Sequence, residues 1–225
     1  GPSEAGDQGP SVDEPAMLVT SAGYTPYAEL HAHSAYSFLD GANQPEELVV
    51  EGHRLGLEAL AITDHDGLPA VVRFSKAARE IGLPAVIGAE LSLDAHTSRT
   101  GVPDPDATHL VVLARNPEGY SRLSRAIATA HLVTGKKGER DYGRGVGLDP
   151  LEVLSEQAGG PGGDHWLVLT GCRKGSLRRA LEPAGPGGGW DITAARGEID
   201  RLVALFGRDN VAVEITDAGR PLDAE

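Results

Sequence analysis

A chain of 225 residues, 40% of them hydrophobic, is long enough to bury a substantial core in one large domain or two small ones. Its formal net charge of -13 argues against binding nucleic acid through a broad basic surface. The single cysteine, Cys172, excludes an intramolecular disulfide, and no segment is apolar enough to span a bilayer. We therefore expect a cytoplasmic protein that has no membrane partner.

Residues 1–26 are rich in glycine, proline, serine and acidic residues and carry few apolar side chains. Such a segment buries too little apolar surface to offset the entropy that ordering costs, so we expect a disordered tail. The remainder, residues 27–225, is predicted to form a single domain.

From Tyr27 onward, short apolar runs alternate with helical patterns. After a first strand that begins at Tyr27, strands are predicted over residues 57–63, 84–90, 108–114, 166–171 and 210–215. Most helix starts carry a proline in the first turn or a side chain suited to N-capping. The helices are predicted to begin at Pro45, Ala70, Asn116, Asp149 and Asp191.

This alternation predicts an α/β fold, because nearly continuous apolar strands are typical of parallel strands covered by helices. Polar residues that could bind a metal lie at or near most of the strand ends. In a barrel of parallel strands those ends meet at one face, whereas an open doubly wound sheet gathers its ligands at one crevice. The distribution of polar residues over nearly every strand therefore favours a barrel.

A glycine-rich basic loop, GKKGERDYGRGVG, covers residues 135–147. The composition is typical of a solvated, flexible connection, and this is the interpretation we favour. A local contact with a phosphate backbone is the alternative, because the loop is the only basic cluster outside a predicted helix.

The segment YAELHAHSAYSFLD, residues 27–40, places His31 and His33 two residues apart. Side chains at this spacing on a strand point to the same face, so the two imidazoles could hold a divalent metal. Two ordinary histidines, one of them partly buried, explain the pair about as well. The later strands decide between these readings.

Imidazole, carboxylate and thiolate groups recur at the strand ends, in His31, His33, His65, Glu90, His109 and Cys172. Buried polar groups are costly unless they serve a purpose, so repetition over five strands favours a metal site with more than one ion. The donor set suits zinc, with manganese or iron at the positions richer in carboxylate. The other histidines, His53, His96, His131 and His165, are expected at the surface or at helix ends.

Several of these residues lie in segments that resemble the motifs of a known protein family. The segment HAH with Asp40, TDH at residues 63–65 and GAE at residues 88–90 resemble the motifs of the polymerase and histidinol phosphatase (PHP) family. YSFLDGA, THLVVLARNPEGYSRL and LTGCRKG resemble the PHP domain of bacterial C-family DNA polymerase alpha subunits. TDHDGL and GAELSL are similar to the error-prone, damage-inducible type of that family.

The resemblance implies a distorted barrel of seven strands that binds up to three divalent metals, zinc or manganese. The ligands that it implies are His31, His33, Asp40, His65, Glu90, His109 and Cys172. His65 or Asp64 would help to position a catalytic water. The family's final Asp-x-His motif is not reached, so we expect the barrel to lack its last strand and to hold fewer metals. The open edges could then promote self-association.

Three functions follow from the resemblance. The first is the PHP domain of an error-prone polymerase, with possible metal-dependent 3′–5′ exonuclease activity. Its partners would be DNA, reached through the parent polymerase, and the other polymerase domains. The second is a free-standing PHP phosphoesterase that acts on a small phosphate ester. The third is a non-catalytic domain whose metal site stabilises the polymerase.

Overall fold

The structure is a computed structural model that describes residues 19–20, 23–94, 107–135, 138–145, 147–185 and 188–215. Its first elements are two minimal strands, β1 (Val19–Thr20) and β2 (Gly23–Tyr24), which pair antiparallel. Most of the predicted disordered tail lies outside the described residues. The prediction for the tail stays a prediction, and the structure adds only this short antiparallel pair.

Within the described residues, the main sheet has six strands that follow one another across the sheet in chain order. They are β3 (Ala28–Glu29), β4 (Ala59–Ile62), β5 (Ala85–Ser92), β6 (His109–Ala114), β7 (Trp166–Leu169) and β8 (Val211–Ala212). The sheet is curled into a half-barrel, and among the described residues β3 and β8 form its two edges. The predicted α/β class is confirmed, and self-association through these edges stays a prediction.

One strand runs against the predicted direction. β3, β4 and β5 are parallel, and so are β7 and β8, but β6 pairs antiparallel with both β5 and β7. The expectation of an all-parallel sheet was therefore wrong. A buried strand reads as a continuous apolar run in either direction, so the composition of HLVVLA could not reveal its direction. The linker that reverses the chain, residues 95–106, lies outside the described residues.

In the part of the chain that the structure describes, six helices cover the sheet: α1 (Pro45–Arg54), α2 (Val71–Ile81), α3 (Pro117–Val133), α4 (Pro150–Ala158), α5 (Ser176–Leu181) and α6 (Ile192–Phe206). A single turn of 3-10 helix, Arg208–Asn210, precedes β8. The predicted starts were confirmed where a cap marked them, since the side chains of Asn116, Asp149 and Asp191 each accept a hydrogen bond from a backbone N–H of the first turn. Helix α5 has no such signal and was not predicted. No helix in the described part of the chain could cross a membrane.

The strands divide the apolar residues between two sides of the curled sheet, because successive side chains point to opposite faces. Helices α1 and α2 pack over Leu60 and Ile62 of β4, while α3, α4 and α6 pack over the outer faces of β5, β6 and β7. The inner face is a smaller apolar cluster built around Ala61, Val111 and Leu169. This cluster fills the inside of the half-barrel and forms the floor of the site described below.

The loop that joins α3 and α4 is not the solvated connection that its composition suggested. Arg140 is 3% exposed and Tyr142 is 2% exposed. Both side chains reach the carboxylate of Asp66, with Arg140 Nε 2.6 Å from Oδ2 and Tyr142 Oη donating to Oδ1 at 2.9 Å. The buried aspartate explains the correction, because it gives two polar side chains of the loop a partner inside the protein.

Candidate metal centre

Glu90 is the centre of a group of buried histidines. Its carboxylate is 1% exposed and lies on the inner face of β5. On one oxygen, Oε1, His109 Nδ1 lies at 2.7 Å. Around the other, Oε2, the Nε2 atoms of three imidazoles lie within 3.4 Å: His33 at 2.8 Å, His31 at 3.3 Å and His65 at 3.4 Å.

The sheet fixes two of these histidines through their backbones. His65 follows β4 and forms a parallel bridge with Glu90, flanked by hydrogen bonds from Glu90 N–H to Asp64 O at 3.2 Å and from Asp66 N–H to Glu90 O at 2.9 Å. His109 begins β6 and points to the same inner face as Val111. Because β6 runs antiparallel, its first residue lies at the same end of the half-barrel as the last residues of β4 and β5.

His31 and His33 lie just beyond β3, which ends at Glu29. The backbone still runs beside the end of β4, because Thr63 N–H donates to Ala32 O at 2.9 Å. The two imidazole rings are 5.1 Å apart, centroid to centroid, so the i, i+2 spacing brings them to one side as the sequence indicated. The rings of His33 and His65 are 4.5 Å apart, which links this segment to the end of β4.

The two remaining predicted ligands lie at the margin of the group. Asp40 Oδ2 is 3.0 Å from His65 Nε2, and its side chain is 31% exposed. Cys172 follows β7, and its Sγ lies 3.8 Å from Glu90 Oε1. All seven residues that the sequence proposed as ligands are therefore close to one another.

Asp64, proposed as a catalytic residue, is placed differently. Its carboxylate is buried and accepts hydrogen bonds from Ser34 N–H, Ser34 Oγ and Ser37 Oγ at 2.7–2.8 Å. These bonds hold the loop that carries Asp40. A role for Asp64 in positioning water stays a prediction.

The donor atoms fit a metal. His31 Nε2, His33 Nε2, His109 Nε2 and Glu90 Oε2 are buried and have no hydrogen-bond partner outside this cluster in the described structure. Orphaned buried polar atoms are costly, and imidazole and carboxylate donors together suit zinc and other divalent ions. Two sets of three donors have their ligand atoms within 4.8 Å of one another: His31, His33 and Glu90, and His65, Glu90 and His109. Glu90 belongs to both sets, so it could bridge two ions.

Three groups in this cluster have shifted pKa values. Burial lowers the pKa of His31, but hydrogen bonds with Glu214 and Glu90 outweigh it and raise the pKa to about 10. Burial also lowers the pKa of His109, which the contacts with Cys172 and Glu90 raise to about 9. Glu90 shows the complementary effect: burial raises its pKa, but the bonds from His109, His31 and His33 hold it below its usual range. In the absence of metal, the raised pKa values of His31 and His109 favour protonated imidazoles on either side of the Glu90 carboxylate.

Two features of the site were not predicted from the sequence. Glu214, just beyond β8, places Oε1 2.6 Å from His31 Nδ1. It ends a predicted strand, as the predicted ligands do, and that signal could have revealed it. The second feature is the buried cluster around Asp66, which includes the bond between His131 Nε2 and Asp66 O at 2.9 Å. No local pattern marks it, because its members come from distant parts of the chain.

Comparison with known proteins accords with this geometry. Residues 29–218 match the PHP domain. The chain belongs to the PHP domain family. The chain is 55% identical over 199 residues to an error-prone DNA polymerase of Mycobacterium tuberculosis strain H37Rv, covering 88% of this chain and 16% of the relative. A protein of the same name from Nocardia farcinica is 47% identical over 235 residues, covering 89% of this chain and 20% of its own length.

The PHP domain described here therefore spans about a fifth or less of the curated relatives that it matches. Among solved structures, an amidohydrolase from Chromobacterium violaceum is 18% identical with a TM-score of 0.48, covering 87% of this chain and 79% of that one.

Proposed function

We propose that this PHP domain is part of an error-prone DNA polymerase that acts in damage-induced translesion synthesis. The support is the shared name of relatives that are 47–55% identical over nearly the whole domain. The partners would be DNA, reached through the rest of the polymerase, and the neighbouring polymerase domains. A cytoplasmic location follows from this role.

We further propose that the domain binds at least two divalent cations, zinc or manganese, and hydrolyses a phosphodiester at the 3′ end of a strand. The observation that carries this proposal is the pair of donor sets that share Glu90. His31 and His33 would hold one ion and His65 and His109 the other, with Asp40 and Cys172 as further ligands. Bound cations would supply a water of lowered pKa and neutralise charge on the phosphoryl oxygens.

The residues around the centre divide the remaining work. Glu90 is enclosed by imidazoles and excluded from solvent, so it would help to hold the cations rather than touch a substrate. Asp40 is the most exposed of the ligands whose contacts are given above, so the substrate would approach on its side. His65 lies between Asp40 and Glu90, at 3.0 and 3.4 Å, and would orient a water at this rim. A chain with a net charge of -13 repels phosphate overall, and bound cations would supply positive charge locally at this site.

A non-catalytic metal domain is the second candidate, and one observation favours it. The donors of the two sets come from four separate segments, which follow β3 and β4, lie within β5 and begin β6. Ions held there would join these segments, and metal binding of this kind contributes directly to folding. A free-standing phosphoesterase has no observation of its own to favour it.

Metal analysis and a cleavage assay separate the candidates. The purified chain would be loaded with Zn²⁺ or Mn²⁺, analysed for bound metal and incubated with a 5′-labelled single-stranded oligonucleotide. We expect bound metal and shortening from the 3′ end, both reduced by His33→Ala. The matched control is His53→Ala, which removes a histidine in the last turn of α1. Bound metal without cleavage would favour the structural role, and absence of bound metal would contradict both.

A further inference from the structure

Glu214 is a buried carboxylate that none of the proposed ligands or catalytic roles uses. Its side chain is 11% exposed, and Oε1 lies 2.6 Å from His31 Nδ1. The backbone of this residue is also fixed, because Glu214 N–H donates to Thr170 Oγ1 at 2.9 Å, at the end of β7. The carboxylate is therefore held against His31 by the sheet.

The two ring nitrogens of His31 face different carboxylates. Nε2 points into the centre and lies 3.3 Å from Glu90 Oε2, whereas Nδ1 faces Glu214 on the other side of the ring. An imidazole that binds a metal through one nitrogen usually donates its other N–H to a carboxylate or a carbonyl. This second contact fixes the ring orientation and the tautomer. Glu214 occupies the place of such a partner.

The contact also spans the opening of the half-barrel. His31 follows β3 and Glu214 follows β8, and these strands are the two edges of the six-stranded sheet. No hydrogen bonds join the two edge strands within the described residues. The side-chain contact therefore brings the last strand of the sheet to the first metal-binding segment.

We propose that Glu214 is a positioning residue for the metal centre: it orients His31 so that Nε2 faces the ion, and in doing so ties the two edges of the sheet together at the metal-binding end. This inference rests on the proposed metal-binding function. Glu29 also contacts His31, but its Oε1 accepts from the backbone N–H at 3.0 Å. That contact does not restrain the orientation of the imidazole ring.

The test compares metal binding in three variants of the full chain. Glu214→Ala removes the partner of Nδ1, Glu214→Gln keeps an oxygen that can accept from it, and Val213→Ala alters the exposed neighbour on the same segment. Zinc affinity would be measured on metal-free protein by competition with a chromophoric chelator. The visible d–d spectrum of the cobalt-loaded protein would report the geometry of the ligands.

We expect Glu214→Ala to weaken zinc binding by about 10- to 100-fold, the usual cost of losing such a partner, and to change the cobalt spectrum. Glu214→Gln should lower the zinc affinity less than Glu214→Ala does and should keep the wild-type cobalt spectrum. Val213→Ala should stay within about twofold of wild type, as surface changes usually do. Glutamine is nearly isosteric with glutamate, so Glu214→Gln can still be measured if Glu214→Ala does not fold.

Several results would overturn the inference. Unchanged zinc affinity in Glu214→Ala would do so, and an equal loss in Val213→Ala would show that the segment matters only for stability. A loss in Glu214→Gln as large as in Glu214→Ala would assign the effect to charge or to direct coordination. If the wild-type chain itself bound no zinc or cobalt, the proposed function would fail first, which distinguishes the two failures.

Discussion

Asp64 and Asp66 flank the same histidine and are both buried, but they hold different parts of the site. Within the described residues, Asp64 accepts hydrogen bonds from uncharged donors of Ser34 and Ser37, and so it fixes the loop that carries Asp40. Asp66 accepts from Ser92 N–H and Oγ and from Tyr142, and it is paired with Arg140.

The difference between these aspartates lies in the charge of their partners. The carboxylate of Asp66 lies against a guanidinium that is 3% exposed, so it takes part in a buried ion pair. Asp64 has hydroxyl and amide donors, which can find other partners at lower cost. Asp66 also has positive φ, at 49°, a conformation that non-glycine residues rarely adopt and that the surrounding contacts must hold in place. The buried charge pair therefore makes Asp66 the more demanding of the two positions.

The largest effect is expected for Asp66→Ala. Removing the carboxylate from a buried ion pair typically costs about 3–5 kcal/mol, because the opposite charge stays buried. The free energy of unfolding would be measured by urea denaturation, with Asp94→Ala as the control, since Asp94 is exposed just beyond β5. A loss no larger than that of the control would show that Arg140 reaches solvent when its partner is removed.

A smaller loss of stability, about 2–3 kcal/mol, is expected for Asp64→Ala, because hydrogen bonds to a charged acceptor contribute about 1.5–3 kcal/mol each and the serine donors can partly compensate. The loop from Ser34 to Asp40 should also loosen, so metal affinity should fall together with stability. Chelator competition measures the affinity. Losses equal to those of Asp66→Ala would mean that the charge of the partner is not what separates the two aspartates.

Glu90 extends the comparison to a third buried carboxylate, one whose partners titrate. The pKa values of His31 and His109 are raised to about 10 and about 9 in the folded protein, above the usual value of 6.5. The folded state therefore holds more protons than the unfolded state between about pH 6.5 and pH 10, so raising the pH destabilises it. Below about pH 6.5 the two histidines make their full contribution to the stability of the folded state.

We expect the metal-free protein to lose stability as pH rises through this window, by up to about 1.4 kcal/mol per pH unit for each of the two histidines. Thermal denaturation at several pH values, in the presence of a chelator, measures the trend. The same series with zinc is the control, since bound metal takes the place of the protons. Stability that rises with pH in the metal-free series would contradict the charge state described for this cluster.

The smallest effect is expected for Tyr142→Phe, which removes one donor from Asp66 and leaves Arg140 and Ser92 in place. The cost should be about 1 kcal/mol, typical of one hydrogen bond. Tyr36→Phe is the matched control, because the hydroxyl of Tyr36 accepts from Arg73 at the exposed rim at 3.3 Å and should contribute little. Equal losses of stability in the two variants would show that burial does not strengthen the hydrogen bond between Tyr142 and Asp66.

Much of the site was predictable because its signals are local. The i, i+2 spacing of His31 and His33 and the capping residues before α3, α4 and α6 depend only on neighbours in the chain. The position of Glu90 could be predicted from the alternation of side chains along β5, which places Glu90 on the inner face. The burial of Arg140 could not be predicted, because its partner lies 74 positions earlier in the sequence and a glycine-rich segment reads as a loop whether it is solvated or docked.

The sequence by itself determined the α/β class, the positions of most helices and the identity of the clustered donor residues, since periodicity, capping and residue chemistry act over a few residues. Only the tertiary structure decided that β6 runs antiparallel, which brings His109 to Glu90, and that Glu214 closes on His31 across the edges of the sheet. Strand direction and contacts over long separations depend on how the whole chain packs. An apolar run of six residues buries the same surface in either direction, so its composition carries no record of that choice.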